Sequence, residues 1–441
     1  MLDRMPPRNQ PKISEAPSAA KIDDLPNGVL AHIISFLPAH DAVRTSMLAR
    51  RWRHLWTSAP ALRITAVGGF GTAERFNNFV DRLILLRGKS GCPLRSCEFD
   101  LDRKEFGFDW FLSAVHVWSS SLQSALDCDV QVLRCRFRIN DHFDLPLHLP
   151  GDPLPLLSQH LERLELHRVR SVLDFSCCPA LVDLKMVDCV TLDDKLTSPS
   201  LKHLSMISCH LQMYQRTTMS LPSLVRLELI DCNGRLPSLQ SFPSLETAFV
   251  RIGEWCDDRC LKDESGCSAG KPCKRCQFYF QFDSPHNSSF FLQGLARAKH
   301  LELSAYYDDA LLFQRDLKWC PPFTMLKTLI LDDWCLDADL SAVIRFLQHL
   351  PNLEKLTLKL DEEFDSSMVT GESNNLVEGT FSSDHLKMVK IKCEKVDKRI
   401  HKILKILSTC GISLEKVNIR QTNTSSGSGW FDFVCTGFSC N

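Results

Sequence analysis

A six-residue phrase, L-x-x-L-x-L, recurs through most of this 441-residue chain and limits what it can fold into. Good copies stand at Leu161-Leu164-Leu166, Leu181-Leu184-Met186, Leu201-Leu204-Met206, Leu224-Leu227-Leu229, Leu326-Leu329-Leu331, Leu353-Leu356-Leu358, Leu386-Val389-Ile391 and Leu414-Val417-Ile419. Degenerate copies fit at Leu94-Cys97-Phe99, Val130-Leu133-Cys135, Leu245-Ala248-Val250 and Ala298-Leu301-Leu303. Starts between 161 and 245 are 20, 20, 23 and 21 residues apart, and those between 298 and 414 are 28, 27, 33 and 28 apart. The alternation makes each phrase a short strand whose leucines share one face. A unit this small cannot bury that face alone, so neighbouring units must stack, which predicts a curved solenoid. The intervening residues then face solvent: Arg163, Glu165, His167, Asp183, Lys185, His203, Ser205, Arg226, Glu228, Lys355, Thr357 and Lys359. Their mixed signs favour a protein partner over a polyanion.

Lys21 to Leu62 reads differently. The stretch KIDDLPNGVLAHIISFLPAHDAVRTSMLARRWRHLW contains three helical phrases divided by breakers. Asp24 can cap a first helix with Pro26 in its opening turn, and Val29, Leu30, Ile33, Ile34 and Leu37 follow at helical spacing up to Pro38. Asp41 can cap a second helix carrying Val43 and Met47, and a third carries Leu48, Trp52, Leu55 and Trp56. About forty residues cannot bury all of these side chains, so apolar surface is expected to await a partner.

This segment resembles the F-box. The match lies in Leu25-Pro26, Ile33-Ile34-Ser35-Phe36-Leu37-Pro38, Ala42-Val43-Arg44-Thr45-Ser46 and Leu48-Ala49-Arg50-Arg51-Trp52-Arg53-His54-Leu55-Trp56. The resemblance implies a three-helix motif that docks on a Skp-type adaptor and so joins a cullin ubiquitin ligase. By position, the implied adaptor contacts are Leu25, Pro26, Leu30, Ile33, Leu37, Val43, Leu48 and Trp52. Gly28 and Ala49 depart mildly from the usual pattern. The repeat region is similar to that of plant leucine-rich-repeat F-box proteins, as in Phe346-Leu347-Gln348-His349-Leu350-Pro351-Asn352-Leu353-Glu354-Lys355-Leu356. Ile403-Leu404-Lys405-Ile406-Leu407 leading to Leu414-Glu415-Lys416-Val417 resembles the region called FBD in some of them.

Twenty cysteines suit either a disulfide protein or a reducing compartment. Residues 1–20 hold no apolar signal core, which sets the expectation of free thiols in the cytoplasm and/or nucleus. Cys189, Cys209 and Cys232 each fall eight residues after their repeat's first leucine, where a small side chain is buried under the turn. Five more lie in an insert from Gly253 to Asp283. There Cys256, Cys260, Cys273 and Cys276 form two pairs that tetrahedral zinc could use, with Cys267 as a spare. The preferred reading is a loop of free thiols and no metal; zinc content after dialysis decides between them.

Charge is balanced overall, 52 Lys+Arg against 53 Asp+Glu, but not locally. Residues 361–380 hold six acids and no Lys or Arg, and 385–405 hold eight bases, read as a strand face followed by an amphipathic helix. No stretch is apolar enough to span a membrane, and no aromatics interleave the bases to suit nucleic acid, so neither partner is expected. Gly68-Gly69-Phe70-Gly71 lacks the Lys-Ser/Thr of a phosphate loop, and the motifs H-E-x-x-H and G-x-S-x-G are missing. No catalytic residue and no cofactor is expected.

The expected fold class is therefore α/β: a small all-α three-helix F-box followed by a curved leucine-rich-repeat solenoid. Expected boundaries are a disordered lead at 1–20, the F-box at 21–62, the solenoid at 63–420 and a tail at 421–441. Within the solenoid lie the Cys-rich insert (253–285), the acidic loop (361–380) and the FBD-like region (381–420). The expected function is substrate recognition in an SCF-type ligase, with the F-box holding the adaptor and the repeats holding an unidentified protein. The alternative is a scaffold that binds the adaptor without directing ubiquitination.

Overall fold

The computed structural model describes residues 22–65, 69–102, 113–114, 116–138, 147–148, 156–171, 175–191, 194–212, 215–256, 258, 291–305, 313, 316–317, 321–335, 341–360 and 385–421. The lead at 1–20, the acidic stretch 361–380, Cys260, Cys267, Cys273 and Cys276, and residues 422–441 lie outside this set.

The N-terminal segment is helical, with two departures from expectation. Helix α1 spans Asn27–Ile34 and α2 spans Ala39–Arg44. Each is preceded by a proline at the N-cap, Pro26 and Pro38, whose fixed φ sets the entry and whose missing N–H costs nothing there. The expected side-chain caps are not used: α1 has no side-chain cap bond, and Asp41 lies in the first turn of α2 rather than at its cap. The third phrase is not one helix. Ala49 is extended (φ −161°, ψ 164°), and the chain continues as 3₁₀ turns at Arg50–Trp52 and Leu55–Ser58. Trp52 at the end of the first turn and Leu55 and Trp56 at the start of the second are all buried in one core with Leu30 and Ile34.

Thirteen parallel strands form the main sheet, each beside the next in chain order. They are β1 Ala61–Thr65, β2 Ser96–Asp102, β3 Val132–Arg138, β4 Arg163–His167, β5 Asp183–Val187, β6 His203–Ile207, β7 Arg226–Gly234, β8 Thr247–Cys256, β9 His300–Ala305, β10 Thr328–Leu331, β11 Lys355–Lys359, β12 Met388–Cys393 and β13 Val417–Gln421. Every L-x-x-L-x-L phrase, degenerate ones included, supplies one strand. In β2 to β12 its last two positions point inward, with Leu164/Leu166, Leu184/Met186, Leu204/Met206 and Leu227/Leu229 all at most 2% exposed, whereas in the edge strand β13 Val417 is half-buried and Ile419 is exposed. Each such side chain contributes roughly 1.5–3 kcal/mol. β1 was not anticipated; Leu62 and Ile64 give it the same alternation and join the F-box to the sheet through a Pro38–Arg63 bridge. Helix α3 (Ala73–Gly88) seals this junction with Phe76 and Phe79 around Phe70, which also meets His40.

Behind the sheet, short strands stack in the same order, Lys195–Thr197 with Thr218–Ser220 and Ser238–Leu239. Cys189 and Cys209, just after β5 and β6, and Cys232, within β7, are buried, their thiols donating to the carbonyls of Leu166, Met186 and Met206 at 3.4–3.5 Å. One residue after each of β4, β5 and β6 the backbone turns left-handed, at Arg168, Asp188 and Ser208 (φ 60°, 51° and 51°). Their N–H groups donate to the carbonyls of Val187, Ile207 and Ile230, one repeat on, at 2.8–2.9 Å. Helices α4 (Ser341–Gln348) and α5 (Lys398–Thr409) pack near the far end, α5 through Ile400, Ile403 and Leu407, with Asp397 capping it. The amphipathic reading of 385–405 therefore holds for the described strand and helix.

Candidate functional site

On α1 the apolar residues divide between two faces. Leu30, Ala31 and Ile34 are buried, whereas Val29, Ile33 and Phe36 are 44, 39 and 61% exposed. Val29 and Ile33, at i and i+4, share one face of α1, and with Phe36, in the turn just after the helix, they form an apolar stripe directed at solvent. Met47 and Leu48, at the turn after α2, are 79 and 69% exposed. Large aliphatic groups at such exposure, concentrated in forty residues, are the mark of a docking surface.

The eight positions implied by the resemblance do not all lie on that surface. Pro26, Ile33 and Leu48 are exposed, and Leu25, Leu37 and Val43 are half-buried at its margin. Leu30 and Trp52 are in the core, where they hold α1 and the 3₁₀ turns together and cannot meet a partner in this conformation. Val29, Phe36 and Met47 were not among the eight. The signal for Val29 and Phe36 is the second apolar face of α1.

Polar contacts brace the margin. Arg51 donates from Nε to Asn27 Oδ1 at 2.8 Å and from Nη2 to the Leu25 carbonyl, tying the loop before α1 to the third phrase. Ser46 Oγ donates to the Arg53 carbonyl at 3.1 Å, and Thr45 Oγ1 to that of Ala42 at 2.7 Å. The motif's Arg, Ser and Thr thus fix the backbone that presents Leu48.

The outward face of the sheet is the second candidate surface. Parallel register brings opposite charges side by side. Arg136 is 2.9 Å from Glu98, which Arg63 also approaches at 3.4 Å, and Arg134 is 3.1 Å from Glu165. Arg163 is 2.9 Å from Asp183, which also pairs with His203. Burial, and then the neighbouring Arg136, lower the pKa of His167 below the ordinary histidine value. Between these charges runs an aliphatic step, Val187–Ile207–Ile230, on three adjacent strands. The twelve predicted outward positions all lie on strands at alternate residues; Thr357 alone among them is fully buried.

One arrangement has the composition of a hydrolytic triad without its geometry. Asp81 Oδ1 and Ser120 Oγ lie 2.9 and 3.4 Å from the same nitrogen of His116, Nε2. A base must take the nucleophile's proton on one nitrogen while the other is oriented by the acid, so no relay runs through this pair of contacts. Among the described residues no group of three or more His, Cys, Asp or Glu could hold a metal ion, and no helix is long and apolar enough to cross a membrane. Of the insert's cysteines, Cys256 is described, buried at the end of β8.

Comparison with known proteins agrees with this geometry. Residues 22–63 match the F-box domain. The meiotic F-box protein MOF of Oryza sativa subsp. japonica is 26% identical over 360 residues, covering 77% of this chain and 71% of that one. An F-box/LRR-repeat protein of Arabidopsis thaliana is 25% identical over 379 residues, covering 78 and 69%. An F-box/FBD/LRR-repeat protein of the same plant is 28% identical over 258 residues, covering 53 and 60%. The apolar-faced helical segment is an F-box domain, and the chain that carries it has plant F-box/LRR-repeat and F-box/FBD/LRR-repeat proteins as homologues over most of its length.

Proposed function

We propose that this chain is the substrate-recognition subunit of an SCF-type cullin ubiquitin ligase. The F-box binds a Skp-type adaptor through Pro26, Ile33, Leu48 and the margin formed by Leu25, Leu37 and Val43. Leu30 and Trp52 support that surface from beneath. The sheet is the inner wall of a leucine-rich-repeat solenoid, and its outward face holds a protein substrate. The chain itself supplies effective concentration and orientation, placing a substrate lysine beside a charged ubiquitin-conjugating enzyme, while the reactive groups lie elsewhere in the complex.

The observation that carries the reading is the exposed Val29–Ile33–Phe36 stripe with Met47 and Leu48, on the segment that matches the F-box. Burying one such side chain against a partner is worth roughly 1.5–3 kcal/mol. Each loss therefore costs about 10- to 100-fold in affinity. Co-purification tests it: wild type retains the adaptor, while Ile33→Asp with Leu48→Asp releases it and leaves the thermal unfolding curve unchanged. Leu25→Ala with Pro26→Ala is expected to act in the same direction. Full retention by the Asp double variant overturns the docking surface, and absence of ubiquitin transfer to any captured protein reduces the role to that of a scaffold.

A further inference from the structure

We infer that Cys92 is a site of oxidative modification: a peroxide-class oxidant converts its thiol to a sulfinate, and that anion pairs with the buried Arg87. Neither the adaptor surface nor the outward face of the sheet takes part.

Arg87 stands in the last turn of α3 and is 1% exposed. Its Nη2 donates to the Pro93 carbonyl at 2.9 Å, its Nη1 reaches Ser90 Oγ at 3.5 Å, and its Nε has no acceptor. Among the described residues no carboxylate pairs with it. The other buried arginines are matched differently, Arg216 and Arg235 enclosing Asp258. A guanidinium keeps its charge at neutral pH. Burial works against that charge and lowers the Arg87 pKa below the ordinary arginine value. The C-terminus of α3 offsets it by only about half a unit of opposite charge.

Sulfur surrounds the guanidinium. Cys92 lies within its electrostatic reach, as do Cys128 and Cys97. The turn after α3 brings Cys92 there: Ser90 Oγ, which Arg87 contacts, accepts from the Cys92 N–H at 3.4 Å. The three sulfurs differ in what they can do. Cys97 is 0% exposed, and burial pushes its thiol far above the ordinary range, so it stays protonated and out of reach. The Cys128 thiol donates to the Ser124 carbonyl at 3.6 Å, and burial raises its pKa too, which makes it a poor attacking group for a disulfide. Half-exposed Cys92 combines access with an adjacent cation, the two conditions of a reactive thiol.

The chemistry balances with hydrogen peroxide as the oxidant. The Cys92 thiol attacks the O–O bond, giving a sulfenic acid and water, and a second peroxide gives the sulfinic acid and a second water. Each step oxidises the sulfur by two electrons and reduces one peroxide. The sulfinic proton passes to solvent and leaves an anion shared by two oxygens. A guanidinium fork accepts such a group through paired N–H donors, and the unpartnered Nε of Arg87 is one of them. Ser90 Oγ also donates to the Thr57 carbonyl at 2.9 Å, so the new ion pair lies against the link between the F-box and α3.

The test treats the full chain with hydrogen peroxide at neutral pH and reads each cysteine by peptide mass spectrometry. Cys177 is the internal standard, being exposed with Ser176 as its described contact. Cys92 is expected to gain two oxygens at least about tenfold faster than Cys177, because a cation stands beside its sulfur. Arg87→Lys keeps the charge and should keep most of that preference. Arg87→Met removes the charge and should bring Cys92 down to the rate of Cys177. The fold is expected to tolerate the loss of a buried cation that has no carboxylate partner. Should Arg87→Met fail to fold, the wild-type comparison with Cys177 and the Arg87→Lys variant carry the test. Oxidation of Cys177 ahead of Cys92, an unchanged Cys92 rate in folded Arg87→Met, or a Cys92–Cys128 disulfide as the main product overturns the inference.

Discussion

Asp258 is 3% exposed and sits between two buried arginines. Arg216 reaches its carboxylate through both terminal nitrogens, at 2.8 and 2.5 Å, Arg235 approaches at 3.6 Å, and the backbone N–H of Leu236 donates at 2.8 Å. The side chains of Arg216 and Arg235 are 6 and 7% exposed. Asp258→Ala leaves both guanidinium groups in the interior without this carboxylate, and breaking a buried pair from one side costs about 3–5 kcal/mol. Replacing the whole set with apolar residues, Arg216→Met, Arg235→Met and Asp258→Leu, removes the desolvation cost together with the attraction. That triple variant should recover most of the loss. Urea unfolding of the three proteins measures both numbers. A single-variant loss below about 1 kcal/mol, or a triple variant no better than the single, would refute the argument that burial of an uncompensated charge governs this site.

Other expectations follow from local geometry. Gly234 has φ +81°, and a Cβ there would fall on the Leu211 carbonyl, whereas Gly411 has φ +84° with open space around it. Gly234→Ala should therefore destabilise by roughly 2–4 kcal/mol and Gly411→Ala by about 1, and thermal unfolding should rank them in that order. Thiol bonds from Cys189 and Cys232, with burial, push the Cys209 thiol well above its ordinary range. In native protein at pH 8.5 a thiol reagent should modify exposed Cys177 quickly and Cys209 only after denaturation. Lys327 and Lys387 hydrogen-bond Glu354 and hold its pKa at about 2. A lowered carboxylate stabilises above its unfolded pKa and loses that contribution as pH falls toward 2, so Glu354→Gln should flatten the acid limb of the stability profile, less so in high salt.

What could be read from the sequence was what depends on neighbours in sequence. Every repeat phrase became a strand because two inward residues at period two decide the face, whichever of Leu, Met, Cys or Val fills them. β1 escaped although Ala59-Leu62-Ile64 has the same form as the degenerate copy Ala298-Leu301-Leu303, because it stands directly after the helical segment and outside the run of repeats. The segment from Leu48 to Trp56 misled because its spacing suits both 3.6 and 3.0 residues per turn, and extended Ala49 decided for the latter. Leu30 and Trp52, expected by position as adaptor contacts, are interior, because a short apolar segment does not announce which side meets its own core. Cross-strand neutralisation of Glu98 by Arg63 and Arg136, 35 and 38 residues away, is invisible until the register is known.

The left-handed turns at Arg168, Asp188 and Ser208 make the array divisible only at certain places. Each turn is completed by a carbonyl of the following repeat, so none of these three repeats contains all the partners of its own backbone. Equivalent turn residues here are 20 positions apart, which sets the length of chain that can be excised or duplicated with donors still meeting acceptors. A deletion of one such period rejoins matched ends; one of half a period takes away the stretch that carries the next acceptor and leaves the turn N–H without it. The chain can thus change length by whole units while keeping its far end intact, and this is a route by which the reach of the outward face could be altered without redesigning either terminus.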